Sequence, residues 1–345
     1  MQVAIVPEPG RIELVDAPVP TPNEYEALVE ILTCSICSGT DTHIVHDQFP
    51  MRAYPCVLGH ESIGRVIECG AAVRNLKPGD LVLRPTAVRP GEALGGYHSM
   101  FGGFAEYGIV ADAEAIKADT ARGDTPKLPP FATAQQVVPT TFDPDLAGAF
   151  ITFKETLSFL LRLGVQPGRS LLILGSGTVG LSFTYAAKMI GAYPVLVTGR
   201  RTEPLQMALT FGADQVINVS REDLVQAVKI HTHGLGVDFA VEAVGDWAVL
   251  QDGIRTLADN GHIGIYGVPP ERVARLDWSG TARNWSLRFV QPKEEDVHQQ
   301  VLDWLRLGLV DLHQFVTHRL AFNEINTGFD LVQRKQATKV VLRIT

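Results

Sequence analysis

Cysteine is scarce, four in 345 residues. A disulfide framework is not expected from so few, and the reducing cytoplasm is the default compartment. No apolar run reaches the ~18 residues that a membrane helix needs, so no membrane partner is expected. Basic charge is not in excess: 30 Lys and Arg stand against 38 Asp and Glu, a net charge of −8. No basic run stands out, which argues against nucleic acid. Met1 leads directly into strand-like Gln2–Val6, without the basic and apolar regions of a secretory leader. Internal repeats and low-complexity tracts are also missing. What remains is 46% hydrophobic and 20% charged, as expected for a globular chain of about two domains with an ample core.

The most informative stretch is Ser170 to Arg201. An apolar run, Leu171–Leu174, is followed by Gly175, Gly177 and Gly180 in the spacing G-x-G-x-x-G. A helical pattern then extends to Ile190, Gly191 ends it, and Val195–Val197 begins a second apolar run. This predicts strand, turn, helix and strand. Gly175 permits a tight turn, Gly177 lets a pyrophosphate approach the backbone, and Gly180 lets helix and strand pack closely. With Thr178 and Val179 at the helix start, the unpaired N–H groups and positive dipole end would face the phosphates.

Upstream, residues 1 to about 110 read as β-rich. Short apolar runs (Val3–Val6, Ala27–Leu32, Ile63–Glu68, Leu81–Leu83, Ala105–Val110) alternate with Pro and Gly turns. Residues 113–147 read as an irregular connection. From Phe150 to about Gly267 helical and strand patterns alternate, predicting a doubly wound parallel sheet. Ser220 with Asp223 resembles a capping box. Leu250, Ile254 and Leu257 mark a helical face, and Asp259-Asn260-Gly261 a turn. The tail carries a helix at Val297–Leu305 and a strand at Lys339–Ile344, predicted to return to the first domain.

Cys37, His60 and Glu61 offer a thiolate, an imidazole and a carboxylate, a reasonable ligand set for a catalytic zinc. Spacing alone leaves open a buried cysteine and a structural histidine.

The run Gly59 to Val82, GHESIGRVIECGAAVRNLKPGDLV, resembles the GHE signature of the zinc-dependent medium-chain alcohol and polyol dehydrogenases. Gly102–Tyr107, Gly164–Gly168, the glycine fingerprint, Val237–Gly245 and Val316–Arg319 fit the same family in the same order. The resemblance covers essentially the whole chain. It implies an α/β chain: an N-terminal GroES-like β-barrel catalytic domain at 1–149 and 290–345, and a doubly wound Rossmann domain with a parallel sheet at 150–289. It implies one catalytic zinc on Cys37 and His60, with Glu61 as ligand or exchanging ligand. The relatives' four-cysteine structural zinc has no counterpart, because residues 84–110 contain no cysteine. The proton-passing hydroxyl is Ser38 or Thr40, with Thr40 favoured for its pairing with Asp41. Asp41 would orient His60, and His43 would relay a proton to solvent or lie at the surface. A further ligand of many relatives falls at Ile151 here; Glu155, one turn later, is either that ligand or a helix-surface carboxylate. The substrate implied is a small secondary alcohol, polyol or sugar and its carbonyl. The assembly implied is a homodimer or homotetramer, paired through the edge of the nucleotide sheet near His262–Tyr266 and the segment after it.

NADP is expected over NAD. An NAD enzyme carries Asp or Glu about 20 residues past the glycines; that place is Gly199, followed by Arg200 and Arg201. Guanidiniums pair with phosphate in bidentate geometry. The alternatives are a zinc-free quinone or enoyl reductase of the same superfamily and a non-catalytic cofactor-binding protein.

Overall fold

A computed structural model describes residues 1–49, 53–123, 127–271 and 273–345. The chain divides into two compact units, Met1–Ile151 with His298–Thr345, and Thr152–Val297.

The first unit is built on the strand Glu26–Ile36. It pairs antiparallel with Glu61–Cys69, with Tyr107–Ala111 and with Lys339–Arg343. The C-terminal segment therefore completes the N-terminal sheet, and Val316–Ala321 adds parallel to its outer side. A second sheet holds Gln2–Val6, Glu13–Asp16, Cys56–Val57, Ala93–Leu94 and Tyr97–Ser99. Buried Ala4, Val6, Cys34, Ile36, Leu58, Phe104, Val340 and Leu342 form one core between strands far apart in sequence. At about 25 cal/mol per Å² of apolar area removed from water, that cluster is a main support of the unit.

The second unit carries six parallel strands in the spatial order Gln215–Asn218, Val195–Gly199, Leu171–Leu174, Val237–Glu242, Leu257–Ile265 and Trp285–Phe289. Counted along the chain this is 3-2-1-4-5-6, the order of a doubly wound nucleotide fold whose ligands bind beyond the carboxyl ends of the strands where the order reverses. Leu171–Leu174 is flanked on both sides and wholly buried, which explains its unbroken apolar run.

Local details depart from the sequence expectations. Ala113–Arg122 is a helix, not irregular chain: Asp112 caps its start and left-handed Gly123 its end. Residues 124–126 of that stretch lie outside the described residues. At Leu224–His231 the cap is Asp223, accepting from the Gln226 N–H; Ser220 instead donates its N–H to Asn218. The helix Trp247–Ile254 stops before Leu257, which pairs with Val237 as the start of the next strand. Asp259-Asn260-Gly261 falls within that strand as an irregularity in register, with Asn260 left-handed. The edge of the sheet is Trp285–Phe289, in the segment after His262–Tyr266.

Candidate active site

Three strand ends build one corner of the first unit. Glu26–Ile36 stops just before Cys37, and its antiparallel neighbour starts at Glu61, with Ser35 opposite Glu61. On the other side Val340 lies opposite Ile36. Cys37, His60, Glu61 and Lys339 thereby meet. Ligand atoms of Cys37, His60 and Glu61 lie within 4.8 Å of one another. Gly59 turns the chain into this corner at φ +102°; a Cβ there would meet the Phe104 backbone nitrogen at 2.8 Å. The His60 carbonyl accepts from Arg84 Nη1 at 2.7 Å, and the Phe101 ring stands 5.1 Å from the imidazole.

Beneath the corner lies Asp41, wholly buried. Its Oδ2 accepts from the Cys37 backbone N–H at 2.9 Å, and its Oδ1 lies 3.2 Å from His60 Nδ1. That second contact has ion-pair distance without hydrogen-bond alignment. Burial opposes charge on His60, but Asp41 and Cys37 outweigh it and hold the imidazole well above its ordinary range. Glu61 is buried against Lys339, whose Nζ donates to both carboxylate oxygens at 2.8 and 2.7 Å. Burial raises the neighbouring Cys34 thiol well above its usual range, helped by Asp41 and Glu61, and pushes Cys56 up to about 12. Both are inert core cysteines; Cys69 is half-buried.

Thr40 opens a six-residue helix, Thr40–Val45, and is half-buried; Ser38 is exposed. The helix turns Asp41 inward although it stands four places after Cys37. His43 is half-buried, and desolvation together with His46 lowers its pKa.

In the second unit the glycine turn has the geometry its spacing predicts. Gly175 sits at φ +121°. A Cβ on Gly180 would collide with the Gly175 carbonyl, whereas one on Gly177 would meet nothing within 4 Å. Gly177 precedes the helix Thr178–Ile190 and no side chain caps that start, so the backbone there is open to a phosphate. Gly199 ends the next strand, and Arg200 and Arg201 are exposed beyond it. Val219 donates its N–H to the Gly199 carbonyl. Glu155 belongs to this unit, on the helix Ala147–Leu163, and its Oε2 accepts from the Tyr266 hydroxyl at 3.1 Å.

The cluster thus unites Cys37, His60 and Glu61 with Asp41 below. Sequence reasoning missed Lys339 as the partner of Glu61, 278 residues away. A lysine heading an apolar strand was the available signal. The donor set of thiol, imidazole and carboxylate, with a buried carboxylate behind the imidazole, fits a zinc ion. No helix is long and apolar enough to cross a membrane, among the described residues.

Two family models match the chain. An alcohol dehydrogenase GroES-like domain matches residues 23–120, and a zinc-binding dehydrogenase domain matches residues 178–305. L-threonine 3-dehydrogenase of Pyrococcus furiosus is 30% identical over 98% of this chain and 96% of its own. Sorbitol dehydrogenase of Bacillus subtilis is 26% identical over 96% and 93%. The solved structure of alcohol dehydrogenase TADH from Thermus sp. ATN1 superposes with a TM-score of 0.82 at 26% identity, covering 100% of both chains.

Proposed function

The chain belongs to the zinc-dependent medium-chain dehydrogenase family, whose members here are oxidoreductases of alcohol-type substrates, and from that premise we propose a zinc- and NADP-dependent dehydrogenase. Its reaction interconverts a secondary alcohol, polyol or sugar hydroxyl and its carbonyl by hydride transfer. The observation that carries this reading is the meeting of Cys37, His60 and Glu61 over buried Asp41.

A bound zinc would supply Lewis-acid stabilisation of charge on the substrate oxygen, and a nicotinamide the hydride acceptor. Cys37, His60 and Glu61 are its proposed holders. Glu155 is the further carboxylate considered, with Tyr266 as its present partner. Asp41 orients His60, taking the Nδ1 side and leaving Nε2 to face a metal. Thr40 takes the hydroxyl proton at Oγ1, with Ser38 the second candidate, and His43 passes it outward; its lowered pKa favours the neutral, proton-accepting form. Gly175, Gly177, Thr178, Val179 and Gly180 cradle the pyrophosphate. Gly199, Arg200 and Arg201 receive the 2′-phosphate. The edge strand Trp285–Phe289 offers the pairing surface for a homodimer or homotetramer, and a chain with four free cysteines suits the cytoplasm.

A zinc-free quinone or enoyl reductase would have no use for the Cys37, His60 and Glu61 cluster. A non-catalytic cofactor-binding protein would bind NADP without turning it over. The test joins elemental analysis of the purified protein to a screen of secondary alcohols, polyols and sugars for NADP reduction. About one zinc per chain and turnover lost in Cys37→Ser are expected. A stoichiometry near two, or activity surviving Cys37→Ser, would overturn the assignment.

A further inference from the structure

The middle residue of the glycine turn, Ser176, lies against the end of the second strand. A Cβ built on Gly199 would collide with Ser176 Oγ and would stand 3.1 Å from both Ser176 Cβ and Leu205 Cδ2. Leu205 is 2% exposed in the following helix. Rotating the serine hydroxyl aside therefore leaves two tight contacts. The turn is also tied to this strand by its backbone: the Gly175 N–H donates to Thr198 Oγ1 at 3.3 Å, and Thr198 is buried. Ser176 itself is half-buried, and its hydroxyl makes no hydrogen bond to protein among the described residues.

Gly199 is the place from which an acidic side chain would grip a ribose 2′-hydroxyl. The bareness of Gly199 is thus not open room: the serine and the leucine occupy its side-chain direction. We propose that Ser176 is a specificity-determining residue for the cofactor, barring an acidic side chain at position 199 and offering its hydroxyl to a 2′-phosphate. The inference rests on the NADP reading above and assigns part of that preference to the glycine turn rather than to Arg200 and Arg201 alone. A hydroxyl–phosphate hydrogen bond has a charged acceptor, whereas the 2′-hydroxyl of NAD offers only a neutral one, so its loss falls on NADP.

Dissociation constants for NADP, NAD, 2′-phospho-AMP and AMP, measured by calorimetry, test it without turnover. The proteins are wild type, Ser176→Ala, Gly199→Asp and Ser176→Gly with Gly199→Asp, each checked for folding by circular dichroism. Wild type should bind NADP at least tenfold tighter than NAD. Ser176→Ala should weaken NADP and 2′-phospho-AMP by about tenfold and leave NAD and AMP unchanged. Gly199→Asp alone should weaken both dinucleotides, and adding Ser176→Gly should restore NAD by about tenfold. If wild type prefers NAD, the NADP reading fails and this one with it. If wild type prefers NADP but Ser176→Ala binds every probe like wild type, or Gly199→Asp alone gains NAD binding as fully as the double variant, only the role of Ser176 is overturned.

Discussion

Asp41 lies under Cys37 and His60 at once: one carboxylate oxygen accepts the cysteine's backbone N–H and the other stands 3.2 Å from the imidazole. One buried charge therefore places both the thiol-bearing loop and the ring. The carboxylate side also biases which imidazole nitrogen is left to face a metal. Asp41→Asn keeps the size and an acceptor for the Cys37 N–H but removes the charge. Zinc affinity should fall on the order of 10- to 100-fold, measured by competition with a chromogenic chelator, while the far-ultraviolet spectrum stays that of wild type. An unchanged affinity would mean that Asp41 supports the loop alone.

Two hydroxyls compete for the proton-passing role. Thr40 is half-buried at the head of its short helix and Ser38 is exposed. A group that must receive a proton from substrate is better shielded than fully solvated, so Thr40 is the stronger candidate. Thr40→Val, nearly isosteric, should lower turnover about 10²-fold with zinc content unchanged. Ser38→Ala should stay close to wild type. The reverse pattern in steady-state kinetics would transfer the role to Ser38.

The nucleotide half was legible because its signals are local. Gly175 turns at φ +121° and Gly180 packs against the Gly175 carbonyl five residues back, and buried strands such as Leu171–Leu174 announce themselves as apolar runs. The limits appear where pairing is long-range. Leu257 continues a helical period yet pairs with Val237, and the edge strand Trp285–Phe289 alternates apolar and polar residues over only five positions, with nothing local to say which strand it joins. In the other half, a helix as short as Thr40–Val45 shows less than two turns of periodicity. Cys37, His60 and Glu61 were readable through family resemblance. Their convergence depends on the register of Glu26–Ile36 with Glu61–Cys69, and the place of Lys339 on a third strand that only the fold supplies.

Lys339 is that hidden element. It neutralises Glu61 in a site where both side chains are 3% exposed. Removing one partner of a buried pair leaves an uncompensated charge, at a cost of about 3–5 kcal/mol. Lys339→Met should lower the stability of the metal-depleted protein by about that amount, as a fall in denaturation midpoint. Glu61→Gln added to Lys339→Met should recover most of the loss, because no charge is then stranded. A double variant no more stable than Lys339→Met would show that the ammonium acts through other contacts. Zinc should narrow the gap between Lys339→Met and wild type if Glu61 can turn to the metal.

Asp112 allows a pH prediction away from the metal corner. Its Oδ2 accepts from the backbone N–H groups of Arg74 and Asn75 at 2.7 and 2.8 Å, and its Oδ1 from the Asn75 amide and the Ala115 N–H at 2.9 and 3.0 Å. Burial pushes this carboxyl up, but the donors outweigh it and its pKa lies below the ordinary value. A depressed folded pKa means that the charged form stabilises the fold. That stability is present above the unfolded value, about 3.9, and is lost as pH falls through the folded value. Asp112→Ala removes the cap of Ala113–Arg122 and should cost about 1–2 kcal/mol near neutrality, more if the Arg74 and Asn75 N–H groups are left unpaired. Thermal midpoints of wild type and variant should differ by a constant amount from pH 8 down to about 5, then converge as the medium passes below about 4. A difference that persists undiminished into that acid range would show that the uncharged carboxyl caps the helix as well as the carboxylate does.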